Sequence, residues 1–185
     1  TKALFFVKVW WPSSVIEHYL DGRNYRVVVV ENDIMSVIRR YPPFVIGDGK
    51  STIAELIDRE NGIRQQMGLY PVIHEIPKNK YIVRYLKKKG LQLTSVPDNE
   101  EEVVLFNRIS LAPGGVVESI SKNSIHPDNR ELFLRLIPLL GANILGVDAI
   151  FQQGIEVSYR QQRVIFLEVN SRPYLKMHDH PRYGE

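Results

Sequence analysis

The sequence predicts an α+β fold, on three observations. A β-branched run at residues 25–30 lies between turn residues, and a second strand-like run at 34–40 follows it at once. Helix-start signals stand at Ser51-Thr52 and at His126-Pro127. Near the end, two short apolar segments carry acidic residues, Asp148 in the first and Glu168 in the second. An alternation of antiparallel strands with helices argues for α+β.

Residues 2–10 read as a short helix, apolar on most sides and stopped before Pro12. Residues 15–20 read as a strand, and Asp21-Gly22-Arg23-Asn24 as a turn. Residues 25–30 are the expected central strand, because β-branched side chains suit a pleated, buried surface. Glu31-Asn32-Asp33 turns the chain into the strand at 34–40, giving an antiparallel meander. Pro42-Pro43 and Gly47-Asp48-Gly49 bracket a loop. A helix then opens at Ser51 or Thr52, with Glu55 near the capping-box position.

Residues 61–80 are polar, with scattered turn residues. A second helix spans 82–89 and is closed by Gly90. Residues 103–111 are strand-like, and Ala112-Pro113-Gly114-Gly115 is a loop. One helix is expected from His126 to about Leu140, capped by Gly141. Two strands follow, and residues 173–185 form a polar tail rich in His, Lys and Arg.

Those two strands carry the chemistry. Residues i and i+2 of a strand point to one face, so Glu168 and Asn170 project together. A hairpin through 152–163 places Asp148 opposite that pair. Two carboxylates and an amide oxygen are hard ligands suited to Mg²⁺, with Mn²⁺ as an alternative. The competing reading has Asp148 merely ending a strand and Glu168 and Asn170 lying at an edge. An unpaired buried carboxylate is costly, which favours the ligand role.

Bulk composition narrows the field. A chain of 185 residues can bury a real core. The net charge is +3, without the dense basic clustering of a nucleic-acid face. The run Lys87-Lys88-Lys89 fits a solvated helix end. There is no cysteine, which excludes disulfides, thiolate metal sites and thiol nucleophiles. No apolar run reaches the roughly 20 residues of a membrane span. A cytoplasmic location is expected. The chain does not begin with Met, so a fragment of a longer polypeptide is expected.

Four stretches together resemble the ATP-grasp superfamily of carboxylate–amine ligases, nearest to the subgroup of cyanophycin synthetase and bifunctional glutathione synthetases. They are residues 15–26, residues 40–53 with their Gly47-Asp48-Gly49 loop, residues 126–148, and Glu168-Val169-Asn170-Ser171-Arg172-Pro173. The resemblance implies the C-terminal part of an ATP-grasp domain over 1–185, with an antiparallel sheet, flanking helices and an N-terminal subdomain missing from the front. It implies ATP and Mg²⁺ as cofactors and ligation of amino acids or peptides through an acylphosphate. It also implies a homo-oligomer, with no nucleic acid or membrane partner.

By the same resemblance, Arg26 and Arg40 face the γ-phosphate or acylphosphate, with Arg39 the substitute if the register shifts by one. Glu17 and the backbone of Tyr19 and Leu20 meet adenine, and Asn24 stands where an acidic residue commonly holds the ribose. Lys176 and His178 meet a carboxylate-bearing substrate. The alternative for the tail is a metal pair, His178 with His180. Alternatives for the whole chain are a nucleotide-binding or regulatory module without catalysis and a non-catalytic α+β interaction domain.

Overall fold

A computed structural model describes residues 5, 7, 9–11, 13, 14 and 19–184. Of the expected first helix, Phe5, Val7, Val9 and Trp10 are helical. Most of the expected strand at 15–20 lies outside the described residues. Tyr19 and Leu20, which are described, belong to no strand.

Five antiparallel strands form the main sheet, in the order β5-β2-β1-β6-β7. They are β1 (Arg23–Val30), β2 (Asp33–Tyr41), β5 (Val116–Ile120), β6 (Ile144–Phe151) and β7 (Val164–Asn170). The central strand β1 is the β-branched run, flanked by β2 and β6. Tyr25, Val27 and Val29 point to one face and join Val147, Ala149 and Phe151 in a buried core. Phe133 and Ile137, from α3 (Pro127–Leu134) and α4 (Leu136–Leu140), close that core. The alternate residues of β1, Asn24, Arg26 and Val28, point the other way.

A second layer is built on β3 (Phe44–Ile46) and β4 (Glu102–Val104), a two-stranded sheet. The helices α1 (Ile53–Gln66) and α2 (Lys80–Lys88) share its core through Ile53, Leu56, Ile57, Ile82 and Leu86. Thr52 and Glu55 form the expected capping box at the start of α1. Pairs of this kind satisfy two backbone donors that a helix start leaves unpaired.

Several elements differ from the sequence expectation. Helix α1 continues to Gln66, into the stretch expected to be turns, because Arg64 on its inner side bonds Glu60 and the carbonyls of His74 and Gly114. The strand expected over 103–111 is only Glu102–Val104. The single helix expected from His126 breaks after Leu134. Pro138 has no N–H for the Leu134 carbonyl, and its ring would crowd that group. A new helix begins at Leu136, where proline falls in the first turn and is tolerated.

The segment after β7 is a strap across the polar side of the sheet. Pro173 lies on Gly146, and Met177 shares a small core with Ile38, Leu69 and Val117. The amide of Arg182 donates to the Val117 carbonyl at 2.7 Å, and its guanidinium donates to Glu60 at 2.9 and 3.0 Å. A Cβ at Gly146 would sit 2.6 Å from the Pro173 Cβ, so the absent side chain makes room for the strap.

Candidate functional site

Cross-strand register assembles the site. Asn24 stands opposite Arg40, Arg26 opposite Asp148, and Asp148 opposite Glu168. Gly146 faces Asn170 one step along. A bulge follows Asp148, so the direct pairing of Asp148 with Glu168 does not continue to the next residue. Bulges re-aim side chains next to sites of this kind. The predicted hairpin therefore exists, and Asp148, Glu168 and Asn170 share one end of it.

Their environments differ sharply. Asp148 is only 4% exposed, whereas the Glu168 side chain is 56% exposed on edge strand β7. Arg26 binds the Asp148 carboxylate with two donors, Nε to Oδ1 and Nη2 to Oδ2, the latter at 2.6 Å. Arg40 Nη2 reaches the same Oδ2 at 3.0 Å. Arg26 Nη2 also extends to Glu168 Oε1 at 3.2 Å, and Asn170 Nδ2 donates to that oxygen at 2.9 Å. Two guanidinium groups thus hold a buried carboxylate, and one of them, Arg26, also touches an exposed one. The four formal charges cancel.

Burial pushes the Asp148 carboxyl up, but the hydrogen bonds and charges of Arg26 and Arg40 outweigh it and hold it below the usual carboxylate range. Arg40 is lowered by burial, partly offset by Asp148. Guanidinium nonetheless keeps its charge throughout the accessible pH range. His178 Nδ1 lies 2.7 Å from Ser36 Oγ. Burial and then the nearby positive charge of Arg26 push its imidazole down to about 4, so it is neutral at pH 7.

The remaining sequence-selected residues divide. Asn24 turns inward, its Oδ1 accepting Arg40 Nε at 2.7 Å, and it is 5% exposed. Tyr19 is 84% exposed and Leu20 is buried. Glu17 lies outside the described residues. Lys176 is exposed, with its carbonyl accepting from His180 Nδ1 at 3.0 Å. That contact turns His180 to the backbone, while His178 bonds Ser36, so the two imidazoles do not share a partner. Among the described residues, no cluster of three or more His, Cys, Asp or Glu side chains could hold a metal ion.

The oxygen donors still suit a hard cation. Among the described residues, Glu168 Oε2 and the Asn170 side-chain oxygen accept no hydrogen bond, and both belong to the edge strand β7. Asp148 differs, because both of its oxygens are already taken by guanidinium groups. Glu168 and Asn170 could therefore contribute oxygen ligands to a hard divalent cation at this edge, whereas Asp148 is held by Arg26 and Arg40. Beside Arg40, a cavity of about 260 Å³ is lined by Tyr41, Ser110, Leu111, Ala112 and Met177.

Sequence reasoning missed the cage around Asp148, since a strand pattern does not say which partner an acid takes. It also missed the second buried network, Arg64–Glu60–Arg182. Gly146 inside a strand was the available signal for the strap, because such a glycine marks close backbone approach.

No family model matches the chain. It is 33% identical over 173 residues to a cyanophycin synthetase of Synechocystis sp., covering 93% of this chain and 20% of that protein. It is 30% identical over 175 residues to a bifunctional glutathione biosynthesis protein of Clostridium perfringens, covering 94% of this chain and 22% of that one. The chain thus spans about a fifth of the length of the curated relatives it matches. Its fold matches the crystal structure of a bifunctional glutathione synthetase from Pasteurella multocida with a TM-score of 0.77 at 24% identity, covering 90% of this chain and 22% of that chain.

Proposed function

We propose that the chain belongs to the ATP-grasp superfamily, as its likeness to cyanophycin synthetase and to the bifunctional glutathione biosynthesis protein supports, and that the polypeptide carrying it is an ATP- and Mg²⁺-dependent carboxylate–amine ligase. This segment supplies its phosphate- and cation-binding face. One observation carries the reading: two arginines, two carboxylates and an amide converge across four neighbouring strands. Unrelated charged residues in a sheet have no reason to share one cross-strand layer.

In the proposed reaction a substrate carboxylate oxygen attacks the γ-phosphorus of ATP, and the bond to ADP breaks. An amine then attacks the acyl carbon and phosphate leaves, with one proton lost from the amine. Enzymes of this type work by positioning groups and neutralising charge. Arg26 and Arg40 bring planar, permanently charged forks to the transferring phosphoryl group. Asn24 fixes Arg40 by its Nε, so the rest of that guanidinium is aimed before substrate arrives. Glu168, Asn170 and Asp148 would hold Mg²⁺, which when bound spreads and neutralises phosphate charge.

The cavity beside Arg40 is a suitable place for the carboxylate substrate, with one fixed positive charge and mostly aliphatic walls. Met177, between Lys176 and His178 on the strap, lines that cavity and carries both residues to its neighbourhood.

The test is ADP release by the full polypeptide across pools of amino acids and short peptides. Mg²⁺-dependent release that Glu168→Gln reduces by at least about a hundredfold supports the reading, as expected when charge stabilisation at the reacting phosphate is removed. Absence of both release and Mg·ADP binding contradicts it.

A further inference from the structure

We propose that the outer face of α2, with the groove beside it, docks an acidic peptide segment of a partner protein through its carboxylates and one apolar side chain. None of the residues involved belongs to the site described above.

The helix carries Lys80, Arg84, Lys87 and Lys88, with Lys89 at its C-cap, and no acidic residue. The whole chain has a net charge of +3, so these five cations exceed it and the rest of the chain is net negative. Positions 80, 84, 87 and 88 follow the i, i+4, i+7, i+8 spacing of one helix face, and all four residues are exposed. Among the described residues none of the five pairs with a carboxylate. Asp58, for example, is taken by Lys78 Nζ at 2.6 and 2.7 Å.

A solvated helix end accounts for Lys87, Lys88 and Lys89, because cations favour a helix C-terminus. It does not account for Lys80, the first helical residue after the Asn79 cap, where the helix dipole disfavours a cation. Nor does it account for Arg84, which stands four residues from both Lys80 and Lys88. Like charges at that spacing repel and weaken the helix. The stripe thus costs the helix stability and lacks internal counter-ions, which an acidic ligand would supply.

The second half of the surface is apolar. A cavity of about 430 Å³ beside the stripe is walled by Val83, Leu91 and Leu93, with Lys87 also in its lining. Val83 is 45% exposed there. Lys87 belongs to both halves, so a peptide that seats an apolar side chain in the groove brings its adjacent carboxylates to the stripe. A nucleic acid fits less well, since its bases stack on free aromatic faces. Tyr85 is set edge-on to Phe106 with Lys89 over its ring, and Lys80 lies over the ring of Tyr81. The apolar groove would also go unused.

The experiment is fluorescence anisotropy on the full polypeptide, with a fluorescein-labelled peptide of Glu-Glu-Leu-Glu repeats as the probe. Saturable binding that added salt weakens is expected. Arg84→Glu combined with Lys87→Glu should weaken it by at least about tenfold, since carboxylates then face carboxylates. Replacing every Leu of the probe by Ser should weaken binding to the unaltered polypeptide by at least about tenfold, the scale of one buried apolar side chain. That arm needs no variant to fold. No saturable binding overturns the proposal, as does binding indifferent to the charge reversal or to the loss of Leu. Tighter binding of a labelled oligothymidylate, or of phosphatidylserine vesicles, that the same charge reversal abolishes assigns the face to a nucleic acid or a membrane and overturns it too.

Discussion

Replacing Asp148 by Asn tests whether this acid is part of the architecture as well as the site. In the folded chain it is the shared counter-ion of Arg26 and Arg40, whose side chains are 8% and 15% exposed. With charge centres roughly 4 Å apart, each pair is attractive by about 4 kcal/mol at an effective dielectric of about 20. Desolvation of the three ions cancels most of that gain. Asn removes the attraction and leaves the desolvation, which is why breaking a buried pair costs about 3–5 kcal/mol. The amide keeps one acceptor, and Arg40 retains some contact with water, so the loss should fall near the lower end, about 3 kcal/mol. In urea unfolding with a slope of about 2 kcal/mol/M, the midpoint falls by about 1.5 M. Glu168→Gln, at an exposed site, should stay within about 0.5 kcal/mol. An unchanged or higher midpoint for Asp148→Asn refutes the caged-ion reasoning.

Three further outcomes follow from neighbouring features. His178 is protonated near pH 6.5 in the unfolded chain but only near pH 4 in the folded one. Its contribution is therefore complete above pH 6.5 and is lost as pH falls from 6.5 to 4, by up to about 3 kcal/mol. Unfolding curves across that window check it, and His178→Gln should flatten the slope; an imidazole titrating near 6.5 by NMR contradicts it. Gly146→Ala should destabilise by about 1–3 kcal/mol, because the new methyl meets Pro173 and pushes on the strap. Thermal unfolding measures that loss, and a neutral result means the strap shifts freely. Glu60→Gln removes the partner of two arginines, Arg64 and Arg182. It should cost about 3 kcal/mol and raise hydrogen exchange of the Arg182 amide, which now donates to Val117.

The pairing of β1 with β2 and of β6 with β7 was legible because β-branched runs and turn residues are local signals, whereas β3 and β5 were not expected. The spacing of Glu168 and Asn170 was enough to put them on one face, and the hairpin was enough to bring Asp148 opposite. What was not legible is non-local. Nothing in the sequence near Arg26 says that its partner stands 122 residues later. The break after Leu134 was readable from Pro138 by the rule that proline strips a carbonyl four residues earlier of its donor. The strap was harder, since its anchors, Gly146, Ser36 and Glu60, come from three separate parts of the chain. Asn24 shows the same limit. It occupies the expected point in the chain, yet the neighbouring strand brings Arg40 against it.

Isothermal titration of ADP into the full polypeptide, with and without Mg²⁺, bears most directly on the proposed site. Saturable binding that requires Mg²⁺ and is lost in both Glu168→Gln and Asp148→Asn is the expected result. Binding that ignores Mg²⁺, or that survives both substitutions in folded protein, would place the nucleotide elsewhere and contradict the account.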